Sequence, residues 1–270
     1  MRETPPSRPS RTADQENFPV ASRLLRADVR PLVMAFYRLA RAADDVADSD
    51  TLSAAVKVTQ LEIVARQLGD DIAGQCLRDL LVAFRWDAEE RTYPSWPALV
   101  DGYCAHSAGP VARFLLETHG EDPLTLRPGE ALAAALQVLN HLQDIRDDWV
   151  RLRRLYLPLD WMAEAGVTID MLSLHVSTPN LRLVIDRMLD GCAQLLDQAR
   201  PLPRLVRDPG LRAQSRTTVV LARRLLRRLR RGDPMADRVA LSRMDWGLAA
   251  CAGLAAGGWP LVRRLAGVGR

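Results

Sequence analysis

Several residue types that organise other classes of protein are scarce in this 270-residue chain. It has one lysine, Lys57, only 5% aromatic residues, and four cysteines with no C-x-x-C pair, so neither a zinc site nor a disulfide framework is indicated. No window reaches the ~18 uninterrupted, strongly apolar residues of a membrane-spanning helix. The N-terminus also lacks the apolar segment of a signal peptide. We therefore expect a cytoplasmic protein with reduced thiols.

The overall composition is that of an ordinary compact domain. Hydrophobic residues make up 48% and charged residues 26% of the chain, which excludes a disordered, collagen-like or polytopic membrane protein. The formal net charge of +4 is too small to indicate nucleic acid as a partner. The chain length favours one substantial domain.

Helical periodicity dominates the sequence. Residues 1–15 carry three prolines and no periodic apolar positions, so they predict a flexible N-terminal arm, followed by a single domain over 16–270. Beyond Pro31, apolar residues recur every three or four positions and β-branched runs are sparse, which predicts an all-α fold. Pro110 should distort the helix that contains it. The expected helices cover 31–48, 51–68, 72–85, 95–118, 128–150, 180–199, 208–231 and 235–262.

A first polar face lies in FYRLARAADDVADSD, residues 36–50. Tyr37, Arg41, Asp44 and Asp48 fall within about 60° of one another on a helix, so two carboxylates share a side with a cation and a phenol. Acids near a helix C-terminus cost stability unless a cation compensates. The alternative is a solvated helix end in which Asp48, or a residue just after it, caps the next helix.

A second polar face lies in LQVLNHLQDIRDDW, residues 136–149. Gln137, Asn140, Asp144 and Asp148 follow one another at steps of three, four and four, so they form one stripe on a helix that otherwise has core composition. Burying such a stripe is costly unless something binds it. The alternative is a polar face turned to solvent.

Two D-x-x-x-D pairs on separate helices can face each other and offer hard oxygen ligands. Mg²⁺ prefers carboxylates, water and phosphate oxygens, and it rarely has a full protein cage, so the pattern predicts Mg²⁺ with a diphosphate substrate completing the cluster. A di-iron centre would need Glu-x-x-His partners, which the four histidines lack.

Four segments of the chain resemble, in order, the signature regions of the squalene/phytoene synthase family. They are FYRLARAADDVAD, YCAHSAGPVARFLL, LQVLNHLQDIRDD and RLYLPLDW, and the likeness runs from about residue 16 to at least residue 161. The ENFPVASRLL opening and the spelling of the aspartate motifs are most similar to the hydroxysqualene synthase branch. The resemblance implies an isoprenoid-synthase helical bundle with a central cavity.

The resemblance also implies roles for individual residues. Asp44, Asp48, Asp144 and Asp148 would hold Mg²⁺ from two sides, assisted by Asn140. A second group would bind the substrate and its diphosphate or line the pocket near the departing group or the carbocation: Tyr37, Arg41, Tyr103, Gln137, Arg154, Tyr156 and, near the N-terminus, Asn17. Tyr103 and Tyr156 also fit ordinary half-buried core positions.

Two positions depart from the pattern of many relatives. Gln143 precedes Asp144 where relatives often carry Arg, and Asn17 stands before Phe18 where they often carry Ser. One phosphate-directed cation is therefore absent. The departures weigh against condensation of two diphosphates, which must neutralise more phosphate charge.

The resemblance implies Mg²⁺-dependent conversion of presqualene diphosphate to hydroxysqualene by ionisation, rearrangement and water capture, within squalene and hopanoid biosynthesis. One alternative is head-to-head condensation of two prenyl diphosphates, such as farnesyl diphosphate, to presqualene diphosphate, dehydrosqualene or phytoene. Another is a non-catalytic assembly protein on the same fold. Other squalene-pathway enzymes are conceivable partners.

Two C-terminal segments bear on membrane contact. ARRLLRRLRR, residues 222–231, alternates leucines with six arginines, and residues 246–262 are apolar but diluted by glycine. The simplest interpretation is a solvated helix face followed by a terminal core helix. The alternative is a peripheral contact with anionic lipid.

Overall fold

The computed structural model describes residues 24–265, and within that range it contains helices and no strand. The all-α prediction is confirmed. The helices are α1 (Arg30–Ala47), α2 (Ala54–Gln67), α3 (Ile72–Ala88), a π-helix (Ala98–Cys104), α4 (Ala105–Ser107), α5 (Gly109–Thr118), α6 (Leu126–Gln143), α7 (Ile145–Leu152), α8 (Leu159–Ala165), α9 (Pro179–Gln198), α10 (Leu202–Leu205), α11 (Pro209–Arg231) and α12 (Arg243–Leu265), with short 3-10 turns at Pro123–Thr125 and Ile169–Ser173.

Side-chain caps explain where several helices begin. Asp71 accepts a hydrogen bond from the backbone N–H of Gly74 at 2.8 Å, and Asp208 accepts one from Leu211 at 2.8 Å. Each cap satisfies a backbone donor that has no partner within the helix. α2 is capped by Ser53, not by Asp48 or its neighbours, so the simple capping role considered for Asp48 is wrong.

The core lies around α6, α9 and α11. Leu139 and Leu142 of α6, Ile185 of α9 and Leu221 of α11 are completely buried. Removing a leucine-sized side chain from water stabilises the fold by about 1.5–3 kcal/mol, so these apolar faces hold α6 in place. α6 thereby becomes a fixed support for the polar residues at its C-terminal end.

Two predicted helices are interrupted. The stretch predicted as 95–118 begins as a π-helix and restarts at Gly109, with Pro110 in the first turn of α5, so the expected distortion is present. The stretch predicted as 128–150 breaks at Asp144, whose φ of −108° and ψ of 13° are not helical. Asp144 still bonds back to Asn140, and Asp148 to Asp144, so the helical register continues across the break.

The C-terminal helix begins later than the sequence predicts. Residues 235–242 form turns and irregular chain, and α12 starts at Arg243. Gly258, with φ of 61°, interrupts α12 two residues before Pro260, because only glycine adopts this conformation without strain. α8 and α10 were not predicted. The predicted arm at 1–15 lies outside the described residues, and the single-domain interpretation remains a prediction.

Candidate active site

The first aspartate motif lies at the C-terminal end of α1. Arg41 contacts Asp44 at 2.9 Å and Asp45 at 3.0 Å, and its side chain is largely buried. Asp48 follows directly after the helix as its C-cap residue. A carboxylate there faces the negative end of the helix dipole, which makes a compensating cation necessary.

Arg154 provides that cation. Its Nη1 lies 2.6 Å from Oδ1 of Asp48, and its Nη2 donates to the backbone oxygen of Ala47 at 3.0 Å. Its backbone N–H donates to the carbonyl oxygen of Asp148 at 3.0 Å. One residue therefore joins the ends of the two aspartate motifs.

Arg153 turns the chain so that Arg154 can make these contacts. It ends α7 with φ of 57° and ψ of 24°, a left-handed conformation that costs a non-glycine residue about 1–2 kcal/mol. Its guanidinium lies 3.9 Å from the ring centroid of Trp149, and this cation–π contact offsets part of the cost. The strained turn sits at the site itself, where such strain often serves function.

The second aspartate motif is held by partners of its own. Asp144 contacts Nε of Arg238 at 3.2 Å, and Asp148 contacts Nδ1 of His141 at 3.3 Å. Nε2 of His141 in turn lies 3.0 Å from the side-chain nitrogen of Gln137. His141 thus links Gln137 of α6 to Asp148 of α7, whereas Asp144 contacts a different segment through Arg238.

The carboxyl groups of Asp44 and Asp48 lie close enough for the charge of Asp48 to change the pKa of Asp44. The pKa of Asp44 is raised to about 7, chiefly by removal from water and then by the negative charge of Asp48, while the charges of Arg41 and Arg154 lower it. The positive charge present does not balance the carboxylates. This excess of negative charge is what a divalent cation would neutralise.

The donor chemistry fits Mg²⁺. Two carboxylates from each side, together with the Asn140 amide, are hard oxygen ligands. Among residues 24–265 no three histidine, cysteine, aspartate or glutamate side chains form a ready-made metal cluster. In proteins Mg²⁺ commonly binds one or two carboxylates and completes its coordination with water and substrate phosphate.

An apolar cavity begins beside these motifs. It encloses roughly 1270 Å³ including its opening, and Tyr37, Gln137 and Asn140 contribute to its wall. The rest of the wall is largely apolar and comes from α1, α5, α6 and α11. Phe36 and Phe114 stack within this wall with ring centroids 4.1 Å apart. Along both α1 and α6, the chain thus leads from an apolar chamber to a cluster of acids.

The two later tyrosines are more buried than the pocket-lining role suggested. Tyr156 borders a small cavity that Asp148 and Arg154 also line, and its ring stacks on His141 with centroids 3.5 Å apart. Tyr103 is 2% exposed and bonds to Asp87. Both tyrosines are therefore buried rather than half-buried, and Tyr156 lies beside Asp148 and Arg154. Asn17 lies outside the described residues.

Sequence reasoning missed three residues of this region. His141 appeared only as part of a motif, Arg238 lies about ninety residues beyond it, and Asp87 ends an apolar helix. Gln143, one of the two departures, is buried and donates to the backbone oxygen of Val239 at 2.5 Å. It thereby holds the segment that carries Arg238 next to Asp144. Arg238 thus brings a cation to Asp144 from another part of the chain.

Comparison with known proteins gives consistent results. The family model described as squalene/phytoene synthase matches residues 12–70 and 63–245. A hydroxysqualene synthase of Rhodopseudomonas palustris is 34% identical over 97% of this chain and 94% of its own length. One of Zymomonas mobilis is 36% identical over 83% and 82%, and a 15-cis-phytoene synthase of a Paracoccus species is 30% identical over 96% and 92%.

Solved structures show the same fold. The squalene synthase HpnC of Alicyclobacillus acidocaldarius has a TM-score of 0.68 and 28% identity, covering 78% of this chain and 87% of its own. A dehydrosqualene synthase has a TM-score of 0.72 at 20% identity, covering 89% and 91%. The helical bundle is thus that of the isoprenoid synthases, and the chain belongs to the squalene/phytoene synthase family.

Proposed function

We propose that this protein converts presqualene diphosphate to hydroxysqualene with Mg²⁺ as cofactor, in squalene and hopanoid biosynthesis. The observation that carries the proposal is the position of Arg154, which joins Asp48 to Asp148, the ends of two motifs whose Tyr37 and Asn140 line the apolar cavity. A diphosphate and a long hydrocarbon chain require this combination of charged and apolar surfaces.

The charged end would bind the leaving diphosphate. Asp44, Asp48, Asp144 and Asp148 would hold Mg²⁺, with Asn140 assisting. When bound, the ion would neutralise charge that develops on the leaving oxygens. Gln137 lines the cavity next to these ligands and is proposed to orient the substrate.

Arginine side chains would add fixed positive charge. Arg41 and Arg154 are both largely buried and already placed by carboxylates, so they need little rearrangement when a phosphate arrives. A planar guanidinium also bonds phosphate oxygens through two N–H groups at once. Cleavage of the substrate C–O bond would release diphosphate and leave a cyclopropylcarbinyl cation.

The cavity would then control the fate of the cation. Its walls are mainly apolar, and the rings of Phe36 and Phe114 exclude water from the space beside Tyr37. The cation rearranges and forms a bond with one water molecule, which loses a proton to give the alcohol. No hydride donor is needed for this balance.

The names of the relatives are the reason why hydroxysqualene formation is our first candidate. The proteins of Rhodopseudomonas and Zymomonas are named hydroxysqualene synthase and match at 34% and 36% identity, compared with 30% for the Paracoccus phytoene synthase. The activity that all these relatives share is a reaction of prenyl diphosphates. Head-to-head condensation of two such molecules is the second candidate, favoured by the likeness to the Paracoccus phytoene synthase.

One assay distinguishes the candidates. Purified protein is supplied with Mg²⁺ and either presqualene diphosphate or farnesyl diphosphate, without NADPH, and the extracted products are identified. We expect hydroxysqualene from presqualene diphosphate. Turnover of farnesyl diphosphate alone would establish condensation instead. Turnover of neither, with no effect of Asp144→Ala on binding of a diphosphate analogue, would favour the assembly protein.

A peripheral lipid contact is part of the proposal, because α12 leaves an apolar face uncovered. Ala249 and Leu261 are completely buried, whereas Trp259 is 69% exposed and Leu254 is 46% exposed. No charged side chain occurs between Trp246 and Val262. One side of α12 is therefore part of the core, as expected for a terminal core helix, whereas the other side is exposed.

Arginines lie at the N-terminal end of α12. Arg227 and Arg231 of α11 border a hollow that also includes Met244 of α12, which is 69% exposed. Cations beside an exposed apolar side chain match an anionic lipid surface. No helix among the described residues is long and apolar enough to cross a membrane. The contact proposed is therefore with the surface of the bilayer.

Vesicle sedimentation tests this contact. We expect the protein to sediment with vesicles of phosphatidylcholine and phosphatidylglycerol, and less with phosphatidylcholine alone. The paired substitutions Leu254→Ser and Trp259→Ser should remove most of this binding, whereas Arg187→Ser, which alters an exposed arginine of α9, should not. Equal binding to both vesicle types, or a dimer that Trp259→Ser dissociates, would contradict the lipid interpretation.

A further inference from the structure

Asp87, at the C-terminal end of α3, is a buried carboxylate at the centre of three tyrosines. Its Oδ1 accepts a hydrogen bond from the hydroxyl of Tyr156 at 2.7 Å, and its Oδ2 accepts one from Tyr103 at 2.9 Å. The two hydroxyl oxygens lie 3.4 Å apart. The residue is 7% exposed, so water does not replace these bonds.

The surrounding rings leave little freedom. Tyr93 packs against both other tyrosines, with ring centroids 5.2 Å from Tyr103 and 6.2 Å from Tyr156. On its other side Tyr156 stacks on His141. Rings packed in this way keep their positions, so the remaining freedom is rotation of each hydroxyl about its C–O bond. The hydrogen bonds to Asp87 fix the orientation of each hydroxyl.

Asp87 is also linked to the charged end of the site. Burial raises the pKa of its carboxyl, while the charge of Arg154 and the two phenol hydrogen bonds favour the ionised form. In turn, the negative charges of Asp87 and Asp48 both stabilise the protonated Arg154.

We propose that Asp87 is a positioning residue, which orients the hydroxyls of Tyr103 and Tyr156 next to the small cavity that Asp148 and Arg154 line. A hydroxyl that donates to Asp87 keeps its proton on the Asp87 side, so the electron density of its oxygen is left available on the other side. Such density stabilises a carbocation. This role rests on the proposed function, because it concerns a substrate that ionises.

The test is the substitution Asp87→Asn, which keeps the shape but removes the charge and one acceptor oxygen. The identity of the wild-type product tests the proposed function. The role of Asp87 is tested by the ratio of the variant's kcat to the wild-type kcat, measured on whichever substrate the protein accepts. We expect kcat to fall about 10- to 100-fold. KM should change much less, and alcohols from uncontrolled water capture should form a larger share of the product.

A double-mutant cycle separates positioning from simple stability. If Asp87 acts through the phenols, Asp87→Asn should have little further effect on kcat in a protein that already carries Tyr103→Phe and Tyr156→Phe. Asp79→Asn, on the same helix in a surface ion pair with Arg113, is the control and should leave kcat and products unchanged. Independent, multiplicative effects on kcat would overturn the proposal.

The phenylalanine variants cover the case in which Asp87→Asn does not fold. The protein with both Tyr103→Phe and Tyr156→Phe retains all the rings and loses both donors to Asp87. It should show the same shift towards uncontrolled alcohols. A wild-type kcat and product ratio in this protein would show that the hydroxyl orientation does not matter, and the proposal would be wrong.

Discussion

Arg154 and Asp48 form an ion pair 2.6 Å long although they lie 106 positions apart in the sequence. The arginine side chain is only 9% exposed, and the carboxylate is 34% exposed. The pair therefore links a largely buried cation to an acid that still faces the site. Its partner groups on either side, the carbonyls of Ala47 and Asp148, fix its geometry.

Arg154→Lys should lower kcat/KM by about 10- to 100-fold, because a lysine has a single ammonium and cannot bond Asp48 and the Ala47 carbonyl in the same planar arrangement. Steady-state kinetics on the accepted diphosphate measure this. Arg151→Lys, at an exposed position of α7, is the matched control. Equal kcat/KM for Arg154→Lys and the wild type would show that activity needs only a positive charge at position 154, and not a planar guanidinium.

Asp44 should make the metal-free protein less stable as the pH rises. Its pKa is about 7 in the folded protein against 3.8 for the free side chain, so the folded state binds more protons between those values. The free energy of unfolding therefore falls as the pH increases from about 4 to about 7. Urea unfolding at pH 5 and pH 8, with a metal chelator present, measures the difference.

Asp44→Asn should remove much of this pH dependence and stabilise the protein at pH 8 by about 1–3 kcal/mol, while it lowers activity. Asp45→Asn is the control, because Asp45 pairs with the same arginine at a similar distance. It should bring no gain in stability. An unchanged unfolding free energy in Asp44→Asn at pH 8 would contradict the assigned cause.

Local periodicity was sufficient to predict the two polar faces. The aspartates of α1 and those that follow α6 occupy the predicted stripes, since helical spacing fixes which side chains share a face. The break at Asp144 was missed, because no proline or glycine marks it. The helical register is nevertheless kept, because backbone hydrogen bonds join Asp144 to Asn140 and Asp148 to Asp144.

Contacts between segments that lie far apart in the sequence could not be predicted from the spacing of residues along the chain. Arg154 reaches Asp48 only because Arg153 adopts a left-handed conformation, which nothing in its residue type announces. Asp87 looked like an ordinary helix end, and its role depends on tyrosines 16 and 69 positions away. The family resemblance named Arg154 and the tyrosines, but it did not name their common partner.

Ala133→Phe should block the hydrocarbon chain without disturbing the charged end. Ala133 lies on α6, half-buried, and lines the apolar cavity. A phenylalanine ring there fills space that the thirty-carbon substrate needs, so we expect a large loss of turnover. Calorimetry should show unchanged binding of Mg²⁺ with inorganic pyrophosphate. Ala133→Val should have an intermediate effect, and loss of pyrophosphate binding would indicate general damage.

Arg238 should compensate for the absence of a cation at position 143. Because it contacts Asp144 at 3.2 Å and is half exposed, Arg238→Gln should raise KM for the diphosphate more than it lowers kcat. Gln143→Ala should have a weaker effect in the same direction, because it releases the segment that presents the arginine.

The two substitutions should combine less than multiplicatively, since both act on the same cation. Arg231→Gln, which changes an exposed arginine at the end of α11, should leave KM unaltered. If Gln143→Ala raised KM equally in wild type and in Arg238→Gln, the buried amide would act independently of Arg238. The replacement of one missing charge by another segment would then be refuted.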